Sequence, residues 1–112
     1  MAVGDRNEAR LGGPTQLGTT TTTICTASSG YNEIIKQVII TNTDTVERTF
    51  TLAIGTAATA SNRVIDTMPI GANDTIIWDT ALVLDATETL QGLADTASKV
   101  NVTAIGWEKQ IS

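Results

Sequence analysis

The stretch Val46 to Ile54, VERTFTLAI, decides the fold of this chain. Val46, Phe50, Leu52 and Ile54 fall on one side of an extended chain, and Glu47, Thr49, Thr51 and Ala53 on the other. Side chains alternate between faces only in a strand. A helix would need its apolar residues three and four apart. The stretch therefore predicts a strand with one buried face and one wet face, the pattern of an antiparallel sheet packed on a core.

The same period of two extends in both directions. Upstream, residues 32–42 (NEIIKQVIITN) place Ile34, Val38 and Ile40 on one face and Ile35 and Ile39 on the other. A strand apolar on both faces is central and covered on both sides, or bulged. Asn42-Thr43-Asp44-Thr45 reads as a hairpin turn. Before it, the Thr-rich residues 15–26 read as a first strand region, closed by Ser28-Ser29-Gly30. Downstream, residues 55–62 (GTAATASN) read as an exposed loop. Residues 63–68 read as a fourth strand broken by Pro69, and Gly71-Ala72-Asn73-Asp74 as a turn into a strand at 75–79. Leu82-Val83-Leu84 and residues 89–94 flank a turn at 85–88, and residues 100–107 form the last strand. Seven or eight strands with turn signals every eight to twelve residues predict an all-β fold, an antiparallel two-sheet β-sandwich that is jelly-roll-like or immunoglobulin-like. Its predicted core holds Val38, Ile40, Phe50, Leu52, Ile54, Ile76, Leu84, Leu90 and Val102.

Composition agrees. The 112 residues fit one domain. Threonine supplies about a fifth of them, and its β-branch suits a pleated surface better than a helix. The net charge is −5 and the lysines and arginines are scattered. No basic stripe is present to neutralise phosphates, which argues against nucleic acid as a partner. No run of apolar residues is long enough to span a membrane, and the first residues lack the apolar segment of a signal peptide. Synthesis in the cytoplasm is expected.

Residues that carry chemistry are scarce. There is no histidine, which removes the commonest general base and most zinc sites. Cys25 is the single cysteine, lies in an apolar Thr-rich run and reads as a buried hydrophobe rather than a reactive thiol. Asp44, Asp66, Asp74, Asp79, Asp85, Glu88 and Asp95 lie at or near turns, where Asp caps backbone groups. Their spacing matches no EF-hand loop, and a glycosidase pair would want aromatic platforms beside it. No catalytic residue, cofactor or metal is expected. Trp78 reads as core. Trp107, beside Gly106 and out of phase with Val102 and Ala104, is a candidate anchor for a partner at the rim.

Residues 1–14 read as an extended N-terminal arm ahead of a sandwich domain at 15–112. Asp5, Arg6, Glu8 and Arg10 carry mixed charge, Gly12-Gly13-Pro14 reads as a hinge, and Glu8 to Leu11 are enough for one helical turn at most. Arg6, Arg10 and Leu11 are candidate partner-binding residues, by ion pairs and by filling a small apolar pocket. Such an arm should be removable without unfolding the sandwich.

The segment from Ile34 to Glu108 resembles small virion proteins of tailed bacteriophages. The residues that carry the resemblance are IIKQVIITNTDT, FTLAIG, PIGANDTIIWD and LVLDATETLQGLADTASKVNVTAIGWE. In that family an ITNT strand leads to a hairpin, an L-x-x-x-x-T-L stretch returns across the sheet, and a VNVT-x-x-G-x-E strand closes the domain. The resemblance covers about two-thirds of the chain. It implies a non-enzymatic virion structural protein, a capsid decoration or minor capsid protein on the outer surface of the head lattice. The major capsid protein or other virion proteins would be its partners, and it would act as a homo-oligomer, a trimer at lattice axes. A neck, collar or tail component is the alternative within that class. A carbohydrate- or host-binding module is the alternative outside it, and would want exposed aromatics or a loop-bound metal.

Overall fold

The computed structural model describes residues 6–55 and 61–111, which form eight strands and no helix. They are β1 (Arg6–Gln16), β2 (Thr22–Thr26), β3 (Tyr31–Asn42), β4 (Arg48–Ile54), β5 (Arg63–Ile70), β6 (Thr75–Leu84), β7 (Thr89–Ala94) and β8 (Val100–Gln110). Two four-stranded antiparallel sheets face each other, one ordered β1-β8-β3-β6 and the other β2-β7-β4-β5. The pairings are nested: β1 with β8, β2 with β7, β3 with β6, and β4 with β5. The chain is in effect one long hairpin, folded over so that successive strands pass between the sheets. That nesting is the jelly roll, and it decides between the two sandwich topologies left open by the strand pattern.

The core lies between the sheets. Val38, Ile40, Phe50, Leu52, Leu84, Leu90 and Val102 are buried as expected, while Ile54 and Ile76 are half-buried and pack against them. Leu17, Ile24, Cys25, Ala27, Ile35, Ile70, Ala94, Val100 and Ala104 complete the core. Phe50, the only phenylalanine, is 1% exposed and sits on β4 between Ala94 of β7 and Met68 of β5.

Several local expectations give way to tertiary structure. Ile35 and Val38 both point inward, because the register slips between Ile35 and Gln37 and reverses the alternation within β3. Val46 is 49% exposed, since it precedes β4 rather than starting it. Thr51 and Ala53, expected on a wet face, are buried. Thr51 Oγ1 accepts from the Thr67 backbone N–H of β5 (3.0 Å), and Ala53 is flanked by Gln91 and Arg63. The Asn42–Thr45 turn is not a hairpin but carries the chain from one sheet to the other. Asn42, fully buried, secures it: its Nδ2 donates to the carbonyls of Val46, Ile70 and Gly71 (2.9–3.1 Å), and its Oδ1 accepts from the Asp44 N–H (2.9 Å). Pro69 does not end β5, because β5 is an edge strand and a missing N–H is tolerated there. Residues 75–84 are one strand, not two.

The Thr-rich region divides at Leu17–Thr21, which crosses between the sheets. From Arg6 on, the N-terminal segment is extended and runs antiparallel to β8, with Arg6 opposite Lys109 and Thr15 opposite Val102. Residues 6–14 are thereby built into a sheet, and Glu8 to Leu11 are strand rather than a helical turn. Gly12 is required here: a side chain at that position would run into the Ile24 carbonyl of β2.

Candidate functional site

The outward surface of the sheet that contains β8 differs from an ordinary wet face. Registers across its four strands define rows of side chains. One row reads Glu8–Trp107–Ile34–Val83, the next Arg10–Ile105–Gln37–Asp79, and a third Thr103–Ile39–Ile77. The backbone bulge in β3 keeps Ile34 and Ile39 on this face while Ile35 and Val38 turn inward. Ile77 is 61% exposed, Val83 51% and Ile105 36%; Ile34, Ile39 and Trp107 are half-buried between them. A contiguous apolar face of this kind marks an interaction surface. Charges flank it: Glu8 and Arg10 on the β1 edge, Asp79 on the β6 edge. Gln37 Nε2 donates to Asp79 Oδ1 (3.1 Å), and Arg10 makes no ion pair among the described residues.

Of the residues singled out from sequence, Arg10 and Trp107 thus lie in neighbouring rows of one face. Leu11 is half-buried and packs against the core. Arg6 starts β1 opposite Lys109, and its side chain lies outside the described residues. Ile34, Ile39, Ile77, Val83 and Ile105 are surface residues that the strand pattern does not single out. Their only signal was that strands apolar on both faces occurred in a chain too small to cover both.

A second feature is an apolar groove of about 210 Å³ at the open edge between β5 and β6, lined by Ile65, Met68, Ile76, Ile77 and Trp78. Trp78 therefore packs against the core and also floors this groove.

A third is an acidic pair, Glu33 buried and Glu108 half-buried. Glu33 and Glu108 stand opposite each other in the β3–β8 register and share a row with Leu84 on the inward side. Glu33 is 4% exposed and its Oε1 has no hydrogen-bond partner among the described residues. Burial pushes its carboxyl up to about 7, the charge of Glu108 adds to this, and a hydrogen bond from the Cys25 thiol acts against it. Cys25 is itself pushed up to about 12 by burial and then by the Glu33 charge, which keeps its thiol protonated at neutral pH. The two carboxyls face the sandwich interior rather than a cleft, which does not suit a pair acting on a sugar. Among the described residues, no group of three acid, cysteine or histidine side chains gathers where it could hold a metal.

No protein-family model matches the sequence, and no curated protein matches it. Solved structures do. The chain is similar to a subunit of Bacillus endospore appendages, described as a novel family of disulfide-linked pili, with a TM-score of 0.53 and 11% identity over 98% of this chain and 90% of that one. It is also similar to a protein of infectious bursal disease virus Gx strain, with a TM-score of 0.49 and 11% identity over 93% of this chain and 32% of that one. A pentameric capsid protein isolated from metagenomic phage sequences gives 0.34 and 20% identity over 86% and 59%. The first of these likenesses shows the fold that the two chains share.

Proposed function

We propose that this chain is a non-enzymatic structural subunit of a bacteriophage virion, a decoration protein bound to the outer surface of the head lattice. The observation that carries the reading is the apolar face of the β8 sheet. Ile77, Val83 and Ile105 are exposed there beside Trp107, on a small jelly roll whose described residues gather no group of three acid, cysteine or histidine side chains. Protein–protein interfaces take aromatic and aliphatic residues at their centre and charge at their rim, which is the arrangement of this face. Its partners are the major capsid protein or another virion protein, and other copies of itself. Arg10 and Trp107 belong to the contact surface. A neck, collar or tail position is the second reading within the same class, since a rigid sandwich with one sticky face suits a ring as well as a lattice.

The test is the copy number per particle, with binding to particles that lack the protein. Copies in the hundreds and saturable binding of the purified chain to bare heads support decoration. A single ring's worth of copies moves the protein to the neck or tail. Absence from particles overturns the virion reading.

A further inference from the structure

From the layout of the β8 sheet's outer face we propose that this face pairs with the same face of a second copy, about a two-fold axis that runs along the strands between β8 and β3. In such an isologous contact, residue i meets j and j meets i. An axis in that position turns the face over and exchanges left for right. Each side chain then meets the residue at the mirrored strand of its own row. Trp107 of β8 meets Ile34 of β3 in the partner copy, and Ile34 meets the partner's Trp107. In the next row, Arg10 on the β1 edge meets Asp79 on the partner's β6 edge, and Asp79 meets the partner's Arg10. Arg10 and Asp79 thus complement each other in charge across the two margins, while Glu8 meets the partner's Val83 at the rim, Ile105 meets the partner's Gln37, and the middle of the face is otherwise mainly apolar. Asp79 accepts from Gln37 on one oxygen and keeps acceptor capacity for a guanidinium. Arg10, exposed and without an ion pair among the described residues, is placed to supply it.

The area suffices. Four strands of 10 to 12 residues, at about 4.8 Å spacing and about 3.3 Å per residue, present roughly 600–750 Å² per copy. Pairing of the whole face would bury roughly 1,200–1,500 Å² in total, at the lower end of specific interfaces. Two sheets stacked this way would sit about 10 Å apart with their strands nearly aligned, the ordinary geometry of sheet-on-sheet packing. A three-fold arrangement is heterologous and needs two different complementary patches. This face offers one patch that complements itself, so the inference replaces the trimer with a dimer. It does not depend on the virion assignment, because its test uses the isolated protein.

Sedimentation equilibrium of the purified full chain at neutral pH and moderate salt is expected to show a monomer–dimer equilibrium in the micromolar range. Arg10→Asp and Asp79→Arg each place like charges together twice per dimer, and each should weaken dimerisation by about tenfold or more. The double variant Arg10→Asp/Asp79→Arg restores opposite charges across the axis and should return the dissociation constant to within about threefold of the parent. Both positions are exposed, and unchanged circular dichroism and melting temperature check that the variants fold. A monomer at 100 μM overturns the proposal, as does a trimer. Single variants that dimerise like the parent, or a double variant as weak as the singles, also overturn it.

Discussion

At the scale of single residues, stability rests on a few side chains with no substitute nearby. Phe50 is the one large aromatic fully enclosed between the sheets. Its truncation would leave a cavity in a small core, so Phe50→Ala is expected to cost about 3–5 kcal/mol in urea unfolding. A loss under about 1 kcal/mol would show that the inward face of β4 is misassigned. Glu33 gives a pH signature with a definite sign. Its ordinary value of 4.5 rises to about 7 on folding, so the native state holds this proton more tightly than the unfolded chain. The associated stability is full below about pH 4.5 and is lost as pH rises towards 7. Asp44, held low by its hydrogen bond from Arg48, and Asp66, held low by those from Thr67 and Arg63, have the opposite sign and lose their contribution only in stronger acid. The melting temperature is therefore expected to fall by several degrees between pH 5 and pH 7.5, and Glu33→Gln should flatten that slope. A parent protein equally stable across this interval would mean that Glu33 is ionised without penalty. Neither Glu33 nor Cys25 was legible as part of such a cluster. They are eight positions apart in sequence, and only the packing of one sheet on the other brings β2 over β3.

At the scale of elements, strand identity was legible wherever one face is buried and one is wet, as in the inward Phe50 and Leu52 of β4. It was less legible where a bulge resets the phase, as between Ile35 and Gln37. Gly106 is part of that bulge. It lies on the inward side of β8 opposite Ile35, and a Cβ there would run into the Ile34 carbonyl. Gly106→Ala should force the two central strands apart and cost about 1–3 kcal/mol, readable as a lower denaturant midpoint at unchanged m-value. If alanine is accepted without loss, the close approach of β8 to β3 is not a constraint. The N-terminal segment tests the element scale differently. Because residues 6–16 form β1 along β8, deleting residues 1–14 should lower the melting temperature by many degrees and uncover the backbone of β8. A truncated chain that melts like the parent would return this segment to the status of a detachable arm. Mixed charge and a Gly-Gly-Pro sequence look like a tail in isolation. What places them in a sheet is the partner strand, β8, some ninety residues later.

At the scale of the whole molecule, the nested pairing joins the first strand to the last and the second to the seventh. Almost no pairing except β4–β5 can form before distant parts of the chain meet. Folding should therefore fall in the slow range of small domains, on the order of milliseconds to seconds in stopped-flow refolding. A microsecond phase carrying the full amplitude would contradict the topology. The all-β character, the two antiparallel sheets and most of the core were legible from the residues alone. Those properties follow from a local period of two and from β-branched composition, which each strand carries alone. The sequence also shows how few side chains could do chemistry, because the absence of histidine and the single cysteine are properties of the list of residues. Which strands share a sheet was decided only by tertiary structure, and so was the choice of jelly roll over immunoglobulin topology. The same holds for the assembly of Trp107, Ile34, Val83, Ile105 and Ile77 into one outward face and the setting of Glu33 against Glu108. Each depends on register between strands distant in sequence. Register is set by bulges, close backbone approaches and the packing of one sheet on the other, none of which a single strand's pattern contains.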